Sequence, residues 1–311
     1  MRNHAIDQVT ELAAKDNRVM IVTADLGYNV LNKFEDQFSD RFINVGIAEQ
    51  NMTAVAAGLA LSGNIVFTYS IGNFPTLRCI EQIRNDVCYH NANVKILSVG
   101  GGFAYGDLGM THHATEDIAM MRALPNMRVY VPADSVEAVA CIKEAYNTDG
   151  PAFVRMAKGG ESNLHARDAK LDVTGLLPLS EACGSDINII ACGTILSEGI
   201  KLMQELKKDG YSVGVFSCPG VKPIDRTRIA ELAYRSKLIV TMEEHNVIGG
   251  LGGAVAEILA EVPGQRSALM RLGLQDTYSS IVGDQVYLRD YYGMSAGKAY
   301  VRIKEYMEQY S

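Results

Sequence analysis

The sequence predicts an α/β protein made of two doubly wound domains. Three observations carry this. Short β-branched runs alternate with helix-length stretches through the first half, the alternation lapses in a polar segment, and a second alternation then begins. The predicted division is 1–160 for the first domain, 161–180 for a linker and 181–311 for the second domain.

Apolar residues Ala5, Ile6, Val9, Leu12 and Ala13 recur at helical spacing, so the chain opens on a helix. RVMIVTA (18–24) then reads as a buried strand leaving toward Asp25 and Gly27. NIVFTY (64–69), NVKILSV (93–99), MRVYV (127–131) and AFVR (152–155) repeat that signature, with helices expected at 49–61, 74–90, 116–123 and 134–146. Asp134 stands where a helix cap belongs, with Glu137 three residues on. KGGESNLHARDAKLDVTG (158–175) is polar and glycine-bearing, as a linker is. Beyond it INIIAC (187–192), SVGVF (212–216) and KLIVTM (237–242) are strand-like, and helices are expected near 195–208, 226–234 and 249–260.

A chain of 311 residues, 48% hydrophobic and 21% charged, can bury two cores. The net charge of −7 and the lack of a basic run argue against a nucleic-acid partner. No stretch has the roughly 20 apolar residues of a membrane-spanning helix. MRNHAIDQVTELAAKD has no apolar block of a signal peptide. Cysteines 79, 88, 141, 183, 192 and 218 lack metal-ligand or C-x-x-C spacing, and the expectation is a reducing cytoplasm with cysteines used as small hydrophobes.

In such sheets the chemistry collects beyond the carboxyl ends of the strands. Glu49, in FINVGIAEQNMTAVAAGLALSG, has apolar neighbours on both sides. A carboxylate opening a helix gains from the macrodipole, which is the bland reading. The functional reading is an apolar pocket in which a carboxyl shares a proton with a ligand nitrogen. In GDLGMTHHATED (106–117) the adjacent His112 and His113 diverge, which suits hydrogen bonding or proton transfer better than a metal. Phe74 precedes a predicted helix with an apolar stripe through Leu77, Ile80, Ile83 and Val87, and offers either a core ring or a flat face for a heterocycle. Arg155, ending AFVR, is either a surface charge or a fork for phosphate or carboxylate. The glycines of SVGGG (98–102) and IGGLGG (248–253) fit no dinucleotide or P-loop pattern.

Taken together, NVGIAEQNM, EQIRNDV, THHATEDIAMMRALPNMRVYVPAD, PAFVRMAKG, CPGVKPID and EEHNVIGGLGGAVAE resemble, in order and spacing, the transketolase family from its pyrimidine-binding domain to its C-terminal domain. The resemblance implies thiamine diphosphate as cofactor and transfer of a two-carbon ketol unit between sugar phosphates. It implies that Glu49 hydrogen-bonds the aminopyrimidine ring and promotes ionisation of the thiazolium carbon. It implies that Phe74 stacks on the pyrimidine, Ile71 replaces a second aromatic there, and Asp25 lies near the cofactor. His112 is then a catalytic residue contacting the donor, and Arg155 is associated with substrate phosphate. Leu108 stands where the family has an aspartate for the donor's 2-hydroxyl, a bond leucine cannot accept, so Asp107 is the candidate substitute.

No G-D-G motif for Mg²⁺ and diphosphate occurs in the 311 residues, so those ligands are expected on a partner, an N-terminal transketolase subunit, within an α2β2 assembly that also pairs two copies of this chain. Two other readings stand beside this one. One is a pyruvate-decarboxylating enzyme resembling deoxyxylulose-phosphate synthase or a 2-oxo acid dehydrogenase subunit, and the other is a non-catalytic scaffold. The C-terminal domain yields no catalytic role, and His245 reads as a buried or interface histidine.

Overall fold

The computed structural model describes residues 1–181 and 185–309, so Cys183 lies outside the described residues. Two sheets organise the chain. The first contains β1 (Val19–Thr23), β2 (Phe42–Asn44), β3 (Ile65–Ile71), β4 (Val94–Val99), β5 (Arg128–Tyr130) and β6 (Ala152–Met156). The second contains β7 (Leu177–Ser180), β8 (Ile187–Cys192), β9 (Val213–Ser217), β11 (Leu238–Asn246) and β12 (Ala268–Leu274), while β10 (Gly220–Lys222) returns to the first sheet. Strand orders are β10-β5-β6-β4-β3-β1-β2 and β12-β11-β8-β9-β7. All pairings are parallel except β10 with β5 and β7 with β9.

Helices cover both faces of each sheet. On the first sheet, Ala5, Ile6 and Val9 of helix Arg2–Ala13 join Cys141 and Ile142 of helix Ser135–Asn147 on one side. Met52 and Ala56 of helix Glu49–Leu61 and Ile118 of helix Asp117–Ala123 lie on the other. That second cluster continues without a break into Ile190, Phe216, Leu251 and Val255 of the second half. The two sheets are therefore joined by shared apolar burial as well as by β10. Helices Leu196–Lys208 and Ala296–Gln309 close the far face of the second sheet.

The alternation read from the sequence is the architecture found, and the Asp134 cap accepts from the N–H groups of Val136 and Glu137. The predicted helix 74–90 is corrected. Pro75 disfavours helical backbone at Phe74, and the segment becomes a 3-10 turn (Leu77–Cys79), one α turn (Ile80–Gln82) and a π turn (Ile83–Cys88). Leu77, expected on the buried stripe, is exposed, whereas Ile83 and Val87 are fully buried. Strand β7 begins inside the span expected as linker. The five described cysteines are free and buried, and burial pushes the thiols of Cys79 and Cys88 up to about 11. Among the described residues no helix is long and apolar enough to cross a membrane.

Candidate active site

The carboxyl ends of β1, β2, β3 and β4 form one rim, because these strands run parallel. Asp25 follows β1 with φ of 56° and is exposed; its N–H donates to Asn44 Oδ1 at 3.0 Å, and Asn44 Nδ2 donates back to its carboxylate at 3.3 Å. The same Asn44 oxygen accepts from Gly46 N–H at 3.0 Å, so Asp25 and the approach to Glu49 are set by one side chain. Glu49 opens the 13-residue helix Glu49–Leu61 and is only 3% exposed. Its burial is as expected, but its enclosure is not apolar: Arg78 Nη1 donates to Glu49 Oε2 at 2.7 Å.

From Glu49 a continuous line of contacts runs along the rim. The Arg78 guanidinium lies 4.6 Å from the centre of the Phe74 ring. Phe74, half-buried after β3, meets His112 edge-on at 5.3 Å. His112 in turn lies 6.4 Å from Tyr105, over whose ring the Lys158 ammonium sits at 4.9 Å. Ile71 ends β3, and its carbonyl accepts from Phe74 N–H at 3.0 Å, which fixes the turn between them. The structure thus brings Glu49, Phe74, Ile71, Asp25 and His112 to one edge. Asp107 and Leu108 share a 3-10 turn on the same loop, both exposed, with Leu108 at 57%.

His112 and His113 do diverge. His112 is half-buried with Nδ1 3.1 Å from Thr111 Oγ1, whereas His113 is buried with Nε2 3.1 Å from the Gly106 carbonyl and its ring against Phe103. Asn73 Nδ2 donates to the His113 carbonyl at 2.6 Å, tying the β3 exit to this loop.

Arg155 has different surroundings from those expected. It is 5% exposed, its Nε donates to Asp117 Oδ2 at 2.8 Å, and its Nη2 donates to the carbonyls of Ala114 and Glu244 at 2.7 and 3.0 Å. Three of its donors are spent inside the protein. The cation exposed at this corner is Lys158, three residues on. Sequence reasoning passed over Arg78, Tyr105 and Lys158. For Arg78 a signal existed, a charge interrupting the apolar spacing between Leu77 and Ile80; for the other two nothing in the local pattern marks a rim position.

The arrangement holds a buried carboxylate, a flat aromatic face and a histidine in sequence along one strand edge, which suits a planar, nitrogen-containing ligand lying across them. Residues 1–160 match the transketolase pyrimidine-binding domain and residues 178–298 the transketolase C-terminal domain. The chain belongs to the transketolase family. It is a thiamine diphosphate family, and the chain corresponds to the C-terminal portion of its members.

Relatives of similar length include a protein described as a transketolase C-terminal section from Methanocaldococcus jannaschii, 36% identical over 99% of this chain and 96% of its own. Another is the 6-deoxy-6-sulfo-D-fructose transketolase subunit SqwH of Clostridium sp. (strain MSTE9), 34% identical over 95% and 91%. A solved structure described as a split gene transketolase, inactive beta4 tetramer, matches with a TM-score of 0.86 at 34% identity, over 98% of this chain and 96% of that one. The transketolase of Campylobacter jejuni shares the fold, with a TM-score of 0.82 at 19% identity, over 97% of this chain and 46% of that one.

Proposed function

We propose that this chain is the C-terminal subunit of a two-subunit, thiamine diphosphate-dependent transketolase that moves a two-carbon ketol unit between sugar phosphates. The observation that carries the reading is Glu49: a buried carboxylate at a helix start, joined through Arg78 to the ring of Phe74 and through Phe74 to His112. The donor set fits an aminopyrimidine, since Glu49 offers an acceptor to a ring nitrogen while Phe74 and Ile71 offer apolar walls, with Asp25 at the rim. Thiamine diphosphate, when bound, supplies the electron sink for making and breaking a carbon–carbon bond. This chain's own residues orient the ring, with the Glu49 carboxylate as the acceptor facing a ring-nitrogen proton. His112 donates or accepts at the donor sugar near its reacting carbons, and Asp107 is the acceptor available to the donor's 2-hydroxyl.

Lys158 replaces Arg155 in the proposal as the cation for substrate phosphate, because its ammonium is exposed at the rim. Mg²⁺ and the diphosphate are, in this reading, gripped by a partner subunit, because the 311 residues carry no G-D-G motif. Relatives of nearly the same length are named as subunits or as a C-terminal section, which supports a partner subunit; the assembly proposed with it is α2β2.

One observation favours a second donor. Leu108 presents an apolar side chain at the rim, which suits a donor without a 2-hydroxyl, such as pyruvate. A 1-deoxy-D-xylulose-5-phosphate synthase of Geobacter sulfurreducens is 32% identical over 93% of this chain and 45% of its own length. The experiment is a donor panel on the reconstituted pair, with Glu49→Gln alongside. Turnover of a ketose phosphate, reduced about 10²–10⁴-fold in the variant, is the expected result. Turnover of pyruvate alone selects the second donor, and full activity of Glu49→Gln selects a scaffold.

A further inference from the structure

The loop that carries Asp107, Leu108 and His112 is anchored from beneath by the second half of the chain. An isolated antiparallel bridge between Gly102 and Ala114 closes it, with hydrogen bonds of 2.8 and 3.0 Å. Immediately inside that bridge Phe103 N–H donates to Glu244 Oε1 at 2.5 Å, across 141 residues of sequence. Glu244 is 4% exposed at the end of β11, and its carboxylate also accepts from Gln285 Nε2 at 2.8 and 3.1 Å and from Arg289 Nε. Both of those residues belong to helix Gln285–Tyr291. The Phe103 ring stacks on Tyr292 at 5.6 Å with 18° between planes.

Contact at Gly106 is just as close. A Cβ there would lie 2.2 Å from the Gly283 carbonyl oxygen and 2.6 Å from Leu288 Cδ1, so any larger residue would displace the loop from this support. At Gly102, which has φ of +64°, a Cβ would lie 2.4 Å from Glu244 Oε1.

A buried carboxylate with four polar contacts to two elements fixes both, since moving either leaves a charge unpaired in the interior. We propose that Glu244 is a positioning residue for the substrate loop: it fixes the base of the 103–113 segment through Phe103 N–H, and helix Gln285–Tyr291 holds Glu244 in place. The second half of the chain thereby acts as the frame that sets where His112 and Asp107 stand. This deepens the transketolase reading and rests on it for the identity of the substrate, but not for the clamp itself.

The test uses the full chain, alone and in the reconstituted complex, with Glu244→Gln, the milder Gln285→Ala, and wild type. Amide hydrogen exchange is followed across 102–114 and across β3 and β4 as an internal reference. The clamp is expected to raise loop exchange about ten-fold in Glu244→Gln, and less in Gln285→Ala, with β3 and β4 unchanged. In the complex, kcat/KM for the donor is expected to fall about ten-fold, while the affinity for thiamine diphosphate stays within about two-fold. Loop exchange that matches wild type in both variants overturns the proposal. So does exchange that rises equally in β3 and β4, because that is loss of the fold and not of the clamp. If the wild-type complex turns over no ketose donor, the transketolase reading falls, and the exchange comparison in the chain alone still decides the clamp.

Discussion

Two clusters of the same residue types flank the 102–114 loop and are in opposite states. On the outer rim Glu49 and Arg78 form a pair with one member nearly half exposed, and the His112 ring has a single hydrogen-bond contact, to its own neighbour. On the inner side Asp117, Arg155, Glu243, Glu244 and His245 are buried and bonded to one another or to backbone. His245 makes the contrast plain. Its Nδ1–H donates to the Asn246 carbonyl at 2.6 Å, its Nε2 accepts from Ala119 N–H at 3.3 Å, and both nitrogens are committed to a neutral ring. Ionisable groups whose bonds are complete hold the two halves together, and those with bonds to spare face the candidate site. Residue type alone does not separate the two uses.

The sharpest way to break this contrast is to remove the same residue type from each cluster. Arg155→Met leaves Asp117 buried without its guanidinium, and urea unfolding is expected to register a loss of about 3–5 kcal/mol. A loss below about 1 kcal/mol would mean that Arg155 is a surface-like charge after all.

His245 gives the next largest effect, through pH. Burial pushes its pKa down to about 4, below the ordinary value of 6.5, despite Asp117 at 3.9 Å, and the Arg155 charge lowers it further. Because the folded value is the lower one, the contribution is complete above pH 6.5 and is lost as pH falls toward 4. The gap corresponds to a loss on the order of 3 kcal/mol. His245→Gln is expected to flatten this part of the stability–pH curve, and unchanged curvature between pH 6.5 and 4 would show that His245 is charged in the fold.

Arg78→Met is the smallest change in stability, about 1–2 kcal/mol: half of that side chain is in water, but Glu49, 3% exposed, loses its partner. Activity of the complex is expected to change more than stability does. A destabilisation equal to that of Arg155→Met would erase the distinction between the clusters.

Much of this was legible in the sequence, for reasons that differ by region. Buried parallel strands such as Ile187–Cys192 announce themselves as unbroken apolar runs, and the helix Glu49–Leu61 as the stretch between two of them. Edge strands are poorer signals: Phe42–Asn44 is three residues long, and Arg271 and Gly273 interrupt Ala268–Leu274. Gly220–Lys222 joins the first sheet through a pairing with Tyr130 and Val129 some 90 residues earlier, which no local pattern encodes. At the candidate site, the family motifs pointed to Glu49, Phe74 and His112, which the fold brings to one rim. Burial of Arg155 was not, because its partners Asp117 and Glu244 come from distant segments, and a strand-ending arginine looks the same whether it faces water or a carboxylate.

On the proposed reading this chain holds half of a cofactor site. Calorimetric titration of thiamine diphosphate and Mg²⁺ into the chain alone, the partner subunit alone and the two mixed decides this, with turnover assayed on the same samples. The expected result is tight binding and ketol transfer only in the mixture, both weakened by Glu49→Gln. Tight binding and turnover by the isolated chain would contradict it.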